Sequence, residues 1–443
     1  MHRPLGPLRD LLRPLIGIRD EQRSPSKGWD GWRTRGAAAE RRRERRRSEM
    51  RLWVGFDVGK AFHWVCVLDD EGEVLLSRRV EAEERDIETC CEEIAALGRS
   101  DERLVATDLL GGPATLLEAV LLGRGERLFH LPGIAVNRAR DGYRGESKSD
   151  ARDARVIADQ IRMRWRSLQE VRPREDAAAE LRTLVAHRRG LVEDQARVIT
   201  RLRALLLEVF PGLEAALDLS TDRALLATTR VATPSAARRL GASRLARWLK
   251  DRGIRRSEEL AGKVVEAAKV QRRELPAAET KAALVSEMAA EVLRTRGRVA
   301  TVDTRLEELM AAKPEAAVVR SMPGMGPLFT AEFLSEVGDP SRFASAAALA
   351  AAAGLVPATR QSGGASFQRR ARRGNRTLKN LLYRSAFSCT VHHAPSRAYY
   401  LRKRAEGKPH HRAVIALARR RVNVLWAMLR DGELYREPAP EAA

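Results

Sequence analysis

The 443-residue sequence lacks any long apolar run. No stretch of about 18 apolar residues occurs, and the most apolar segment, from Ala344 to Val356, is short and rich in alanine. A transmembrane helix needs about 20 such residues. The sequence therefore excludes a membrane span.

Cysteine is also scarce. The four cysteines, Cys66, Cys90, Cys91 and Cys389, form no C-x-x-C pair, and the adjacent Cys90 and Cys91 cannot build a disulfide framework. We therefore expect the protein to be located in the reducing cytoplasm of a bacterium.

Acidic residues are in short supply relative to basic ones. The chain has 59 Asp and Glu against 81 Lys and Arg, a formal net charge of +22, while its 44% hydrophobic content is sufficient for folded domains. The usual partner of such a positive surface is a polyphosphate backbone. Nucleic acid is the first expected partner, and we expect the protein to associate with the nucleoid.

Shifts in composition divide the chain into segments. We expect a basic, disordered extension (residues 1–49), an α/β domain (50–172), a helical middle (173–313), a second functional domain (314–435) and a tail (436–443). The extension is rich in arginine and has little apolar periodicity. An alternative is that translation starts at Met50, directly before the first strand pattern.

Residues 50–172 show the pattern of an RNase H-like (RuvC-like) fold. Period-two apolar runs predict three strands that form an antiparallel meander, followed by helix, strand, helix and strand. The predicted strands are 52–58, 63–68, 73–76, 103–107 and 127–131, and the predicted helices are 84–97 and 115–122. This order, with an acid in the first strand, is typical of a mixed sheet covered by helices.

The spacing of apolar residues predicts that the rest of the chain is mostly helical. Apolar residues at helical spacing between about Arg174 and Met310 predict a helical, partly coiled-coil middle that serves as a spacer and a means of self-association. After Ser321 a glycine- and proline-rich turn, residues 323–327, separates two helical stretches. It predicts a helix-hairpin-helix-like element within a mostly α domain.

Four aspartates from three predicted elements can converge. Asp57 ends the first strand, and Asp108 follows the fourth, which we expect beside the first. Asp150 and Asp153 lie three residues apart near a helix start, with Ser149 as its N-cap. Such carboxylates repel one another unless a divalent cation lies between them, so the pattern predicts a site for two Mg²⁺ ions that would catalyse phosphodiester cleavage.

A second cluster surrounds Ser362. It precedes Gly363 and Gly364, whose backbone amides are able to approach a phosphate, and a basic run follows. No histidine adjoins this serine in sequence, so a group that activates it as a nucleophile would come from elsewhere in space. The candidate contacts to nucleic acid are Gly324, Gly326, Arg369, Arg370, Arg372, Arg373, Asn375, Arg376 and Lys379.

These residues together resemble the DEDD transposases of the insertion-sequence one-ten group, described as bridge-RNA-guided recombinases. The resemblance extends from Met50 to Tyr435 and rests on Asp57, Asp108, the Asp150–Asp153 pair and Ser362. Many members have Glu where this chain has Asp108.

The resemblance implies a mechanism. The four carboxylates would hold Mg²⁺, and Ser362 would attack a DNA phosphodiester to give a covalent phosphoserine link, with strand exchange through a Holliday-type junction. A structured guide RNA would pair with donor and target DNA, and a homo-oligomer, a dimer or tetramer, would complete the site.

Two other interpretations remain open from the sequence. A RuvC-like junction nuclease would use the acids alone, with water as nucleophile. A non-catalytic nucleic-acid-binding remnant would keep the four acids for structural reasons only.

Overall fold

The computed structural model describes residues 51–98, 103–143, 149–172, 176–362, 365–369 and 374–437. The chain divides into two units, residues 1–173 and residues 174–443. Across the described ranges, none of the helices is both long and apolar enough to cross a membrane. All four cysteines are buried free thiols.

The first unit is an α/β domain. Its strands are β1 (Leu52–Val58), β2 (Phe62–Leu68), β3 (Val74–Glu81), β4 (Arg103–Thr107), β5 (Arg127–His130) and β6 (Gln169–Val171). Its helices are α1 (Glu84–Leu97), α2 (Thr115–Gly123), α3 (Gly133–Arg140) and α4 (Asp150–Arg164). The predicted order of the first seven elements is confirmed, whereas α3 and β6 were not predicted.

The six strands form one mixed sheet in the order β3-β2-β1-β4-β5-β6. The first three strands form the expected antiparallel meander, β1, β4 and β5 run parallel, and β6 closes the edge antiparallel to β5. Parallel neighbours require crossover helices, and α1 and α2 supply them. The arrangement is consistent with an RNase H-like domain.

Alternation along β1 divides its side chains between two cores. Val54 and Phe56 pack on one face of the sheet, in the cluster that contains residues of α1 and α2. Trp53 packs on the other face, in the cluster that contains Ile157 and other residues of α4. Because successive strand residues point to opposite faces, Gly55 and Asp57 lie on the α4 side with Trp53.

Gly55 permits a close approach between β1 and α4. A Cβ atom at this position would lie 2.3 Å from the carbonyl oxygen of Ala154 and 2.4 Å from the amide nitrogen of Ala158. Both neighbours are backbone atoms, which cannot rotate away as a side chain can. The absence of a side chain at Gly55 therefore sets the distance between the sheet and α4.

The second unit is mainly helical. Its helices are α5 (Asp176–Leu207), α6 (Pro211–Ala216), α7 (Asp222–Arg230), α8 (Pro234–Leu240), α9 (Ala242–Lys250), α10 (Ser257–Val270), α11 (Ala278–Ala311), α12 (Pro314–Ser321), α13 (Pro327–Val337), α14 (Ala346–Ala352), α15 (Arg376–His392), α16 (Ala394–Ala405) and α17 (His410–Asp431). Two strands, β7 (Ala358–Ser362) and β8 (Ala365–Arg369), pair antiparallel as a hairpin.

Two long helices, α5 and α11, run side by side in the second unit. Ion pairs join Glu180 to Arg305, Arg188 to Asp303, and Glu208 to Lys281. The residue numbers of these ion-pair partners fall along α11 as they rise along α5, so the two helices are antiparallel. The sequence predicted this helical middle, and the coiled-coil character of the pair stays a prediction.

The long helices contribute to two separate cores. Near one end, Leu181 and Leu306 pack in a cluster with α12 to α15 and α17. Toward the other end, Val198 and Val285 pack in a cluster with the short helices α6 to α10. The pair therefore spans the distance between two hydrophobic cores.

The close approach at Gly55 gives a stability prediction. Gly55→Ala would place a methyl group against the backbone of α4, and we expect the free energy of unfolding to fall by about 3 kcal/mol, the upper range for overpacking. Urea denaturation with hydrogen exchange on peptides from β1 and α4 measures the loss. Gly123→Ala is the control because no atom outside the adjoining backbone of its own helix lies within 4 Å of that Cβ. Equal stability of the two variants would contradict the close approach.

Candidate active site and nucleic-acid interface

The four aspartates predicted from the sequence line one cavity in the first unit. Its volume is about 380 Å³, and its lining includes Asp57, Asp108, Asp150 and Asp153, with Lys60 at the same surface. The fold thus brings together residues that lie up to 96 positions apart in the chain.

Parallel strand pairing explains the position of the first two acids. Phe56 on β1 is in register with Thr107 on β4, so Asp57 and Asp108 follow at neighbouring positions where the two strands end. The backbone amide of Val58 donates a 3.3 Å hydrogen bond to Asp108 Oδ1. The expectation that β4 lies beside β1 is confirmed.

The start of α4 supplies the other two acids. Ser149 is the N-cap, as predicted, and its hydroxyl accepts a hydrogen bond from the Arg152 amide. Asp150 and Asp153 occupy the first turn, where the helix dipole favours negative charge. Asp150 is exposed, whereas Asp153 is buried, with 7% of its surface accessible.

Arg140 contacts the buried acid directly, and the sequence did not reveal this contact. Its Nη1 atom donates to both oxygens of Asp153, at 3.0 Å and 2.9 Å, and its Nη2 atom donates to Asn137 Oδ1 at 2.9 Å. A buried carboxylate is costly without such compensation. Arg140 therefore neutralises Asp153 in the structure as it stands.

Burial shifts the pKa values of Asp108 and of its neighbour His130. Burial raises the pKa of the Asp108 carboxyl above its ordinary value, although the hydrogen bond from Val58 acts in the opposite direction. Burial lowers the pKa of His130, and nearby Asp108 opposes that shift. The negative charge of Asp108 is thus only partly compensated by the protein.

The donor chemistry of the cavity suits a hard divalent cation, since Mg²⁺ prefers carboxylate and water oxygens. Half-buried Asp108, whose charge is only partly compensated, would gain from positive charge in the cavity. In the part of the chain that the structure describes, no three acidic, histidine or cysteine side chains are close enough together to hold an ion. The residue types fit a metal site, and side-chain rearrangement would be needed to complete it.

Ser362 lies in the second unit, at the end of β7, where its backbone pairs with Ala365 at the start of β8. Its side chain, Gly363 and Gly364, and the predicted contacts Arg370, Arg372 and Arg373 lie outside the described residues, and Arg369 is described as the last residue of β8 by its backbone only. The nucleophile assignment therefore stays a prediction. The hairpin itself was missed, although two glycines between extended segments are a recognised hairpin signal.

The glycine-rich turn joins α12 to α13. Gly324 has a φ of +74°, and a Cβ there would lie 2.6 Å from Cys389 Sγ, so this glycine packs against α15. The carbonyl of Pro323 accepts hydrogen bonds from Cys389 and from buried Arg421. Gly326 is exposed, and no atom lies within 4 Å of its Cβ position, so Gly326 is the member of the pair that is open to a ligand.

Two of the predicted nucleic-acid contacts make intramolecular bonds. Asn375 is the N-cap of α15 and also donates to Glu336. Lys379 donates a 2.7 Å hydrogen bond to the carbonyl of Gly354. Arg376, in the first turn of α15, is exposed. Asn375 and Lys379 thus have structural roles whatever they contact outside the chain.

Comparison with known families matches both units. A transposase family model, the DEDD type named for IS110, matches residues 54–211, and a second, described as the transposase IS116/IS110/IS902 family, matches residues 316–401. The first match contains all four cavity aspartates, and the second contains Ser362 and the glycine-rich turn.

Similar proteins extend over most of the chain. A 44.8 kDa insertion element IS116 protein of Streptomyces clavuligerus is 43% identical over 88% of this chain and 97% of its own length. A 42 kDa insertion element IS900 protein of Mycobacterium paratuberculosis is 40% identical over 88% and 99%. The putative transposase of the IS117 mini-circle of Streptomyces coelicolor is 27% identical over 81% and 89%.

The fold and these matches define the class as DNA transposases, enzymes that cut and rejoin DNA. The chain belongs to the IS116/IS110/IS902 family of transposases, as the resemblance in the sequence indicated.

The buried carboxyl of Asp108 gives a prediction for the metal-free protein. Its raised pKa means that the folded state binds the proton more tightly than the unfolded chain, so its destabilising effect is absent at low pH. The effect grows as the pH rises from the ordinary value of 3.8 through the raised folded value. We therefore expect Asp108→Asn to raise the thermal midpoint in EDTA at pH 7 by a few degrees.

Thermal denaturation at pH 7 and again below pH 4 checks this expectation, since the gain should vanish at the lower pH. Asp150→Asn is the matched control, because its exposed carboxylate at the start of α4 favours folding, so its loss should not stabilise. A lower midpoint for Asp108→Asn at pH 7 would show that its charge is already compensated.

Proposed function

We propose that this transposase cuts and rejoins DNA through the cavity acids and a serine nucleophile, under the guidance of an RNA. The observation that carries the proposal is the common cavity of Asp57, Asp108, Asp150 and Asp153. Four carboxylates from three elements are hard to explain as structural features alone, because each repels the others. The alternative of a non-catalytic remnant leaves that repulsion without a function.

The proposed role of the acids is to hold two Mg²⁺ ions. When bound, such ions stabilise the charge on the attacking and leaving oxygens of a phosphodiester. Asp57 and Asp108 would contribute from the sheet edge, and Asp150 and Asp153 from α4. The shorter side chain of Asp108, where many family members have Glu, places its carboxylate closer to β4.

The proposed nucleophile is Ser362. Its hydroxyl oxygen would form a bond to phosphorus while the bond from phosphorus to a deoxyribose oxygen breaks. The serine proton is lost, and the leaving oxygen gains a proton, so one phosphodiester replaces another with little change in bond energy. A second attack by a DNA hydroxyl on the phosphoserine would reverse these steps and join a new strand through a Holliday-type junction.

Nucleic-acid contacts would come from the second unit. Gly326, Arg376 and the arginines that follow Ser362 are suited to phosphates, which position DNA without reading bases. Base specificity would then fall to a structured guide RNA that pairs with donor and target DNA, as in other RNA-guided systems. The +22 net charge is compatible with binding both nucleic acids.

We also propose that the active protein is a homo-oligomer, a dimer or tetramer. The long helices α5 and α11 are the candidate assembly device, in line with their coiled-coil character in the sequence. The helix-hairpin-helix-like character of the α12–α13 turn belongs to the same proposal. Sedimentation of the protein with and without DNA would measure the oligomeric state.

The serine mechanism predicts a covalent protein–DNA adduct. Full-length protein, labelled donor and target DNA, RNA transcribed from the flanks of the gene, and Mg²⁺ should give an adduct on a denaturing gel. Ser362→Ala and Asp57→Asn should each reduce its formation by about 10³-fold or more, as loss of a reacting group does in other enzymes.

Ser366→Ala, in the same hairpin, is the control and should retain the adduct. Cleavage that persists in Ser362→Ala without an adduct would contradict the serine mechanism and indicate a RuvC-like nuclease with water as nucleophile. If Asp57→Asn forms the adduct as well as the parent does, the proposed catalytic role of the four acids is wrong. Omitting the RNA tests guidance, because adduct formation should then be lost.

The basic run after Ser362 predicts a change in salt dependence. One variant carries Gln at four arginines: Arg369, Arg370, Arg372 and Arg373. Each lost phosphate contact should weaken duplex binding and reduce the slope of log K against log salt by about 0.9. Fluorescence anisotropy at several salt concentrations measures both quantities.

The matched control removes the same charge from exposed arginines elsewhere in the second unit: Arg201, Arg223, Arg294 and Arg298. If the two variants change the slope equally, the effect is one of net charge, and the basic run makes no local phosphate contacts.

A further inference from the structure

The contact between Arg140 and Asp153 bears directly on how the acidic cavity accepts a cation. One guanidinium nitrogen, Nη1, bonds both carboxylate oxygens at 3.0 Å and 2.9 Å. A carboxylate that binds Mg²⁺ must direct an oxygen lone pair at the ion. In the structure as it stands, the hydrogen bonds of Arg140 engage both oxygens of Asp153.

The position of Arg140 is set by the fold. Arg140 is the last residue of α3, and Val136 of the same helix packs in the core cluster that contains Ala154 and Ile157 of α4. At the other end of α3, a Cβ on Gly133 would lie 4.0 Å from Asp108 Oδ2. Helix α3 thus runs along the cavity, from the vicinity of one acid to a salt bridge with another.

Arg140 also has a partner that does not depend on Asp153. Its Nη2 atom donates to Asn137 Oδ1 at 2.9 Å, one turn back on α3. The guanidinium is partly exposed, with 24% of its side-chain surface accessible, against 10% for Asp153. Arg140 therefore keeps a hydrogen-bond partner and access to solvent when it leaves Asp153. The more buried Asp153 then requires another positive charge.

We propose that Arg140 is a positioning residue that occupies Asp153 in the metal-free enzyme and is displaced when a divalent cation binds. This inference rests on the proposed function, since it assumes that the four acids hold the cation. In the metal-free state Arg140 keeps the buried carboxylate compensated and oriented into the cavity. A guanidinium and a divalent cation repel each other, so a cation bound to Asp153 weakens the hold of Arg140 on the same two oxygens.

If Arg140 supports cation binding instead of competing with it, removing Arg140 changes the cation affinity in the opposite direction. If Arg140 stayed on Asp153 and oriented it toward the cation as a permanent outer partner, its removal would weaken cation binding, as the loss of supporting hydrogen bonds does in known metal sites. If Arg140 competes, its removal strengthens cation binding. The affinity for the cation alone, without DNA or turnover, distinguishes the two roles.

The test is titration of full-length, metal-free protein with Mn²⁺, with the free ion followed by electron paramagnetic resonance. Arg140→Gln should bind about tenfold more tightly than the parent, because a positive charge that opposes the ion is gone. Arg138→Gln is the matched control. It removes the same charge from an exposed position on the same helix, and it should change the affinity less than twofold.

A second variant and a second measurement guard against misfolding. Arg140→Lys keeps the charge but loses the planar guanidinium, and its affinity should fall between those of the parent and Arg140→Gln. In EDTA, Arg140→Gln should have a lower thermal midpoint than Arg138→Gln, and saturating Mn²⁺ should remove that difference. Affinity of Arg140→Gln equal to or weaker than that of Arg138→Gln overturns the inference.

Failure of this inference can be distinguished from failure of the proposed metal site. Asp57→Asn and Asp153→Asn should each weaken Mn²⁺ binding if the cavity holds the ion. If they do so but Arg140→Gln does not bind more tightly, the metal site stands and competition by Arg140 is wrong. If neither Asp57→Asn nor Asp153→Asn changes Mn²⁺ binding, in the parent or in the Arg140→Gln background, then the proposed metal site and the competition by Arg140 are both wrong.

Discussion

The close approach of α4 to the first strand is the constraint on which the acidic cavity depends. Gly55 has no side chain, so the start of α4 lies against β1, with Ala154 and Ala158 at the contact. Asp57 is two residues beyond Gly55 on the same face of the strand, and Asp153 directly precedes Ala154. A larger distance between strand and helix would separate these carboxylates. The geometry of the site is therefore set by a backbone contact, whereas the acids repel one another across the cavity.

Different contacts offset the repulsion at three of the acids. Asp150 remains exposed and lies at the favourable end of a helix dipole. Asp108 accepts a hydrogen bond from Val58 and still has a raised pKa because of burial. Asp153, the most buried of the three, has a full salt bridge to Arg140. Asp150 and Asp153 are thus compensated within the chain, whereas the charge of Asp108 is only partly compensated and would attract a cation to the cavity.

Much of the first unit could be predicted from the sequence because its signals are local. Period-two runs indicated the strands, and Ser149 identified the start of α4 correctly. Helix α3 was missed because its eight residues carry little apolar periodicity, and with it the partner of Asp153 was missed. The contact between Arg140 and Asp153 joins two elements through a side-chain geometry that no spacing rule encodes. In the second unit, the hairpin of β7 and β8 was not predicted, although two glycines between extended segments are a recognised hairpin signal.

The antiparallel pair of α5 and α11 constrains how this chain is able to vary. With 32 residues in α5, the pair is about 48 Å long, and a separate hydrophobic core lies toward each end. An insertion in one helix alone would slide one core against the other and break the ion-pair register. Matched insertions in both helices, in steps close to a whole number of turns, would instead preserve both cores and the register of the ion pairs. The two helices thus fix the separation of the two cores jointly, and neither length is able to change independently of the other.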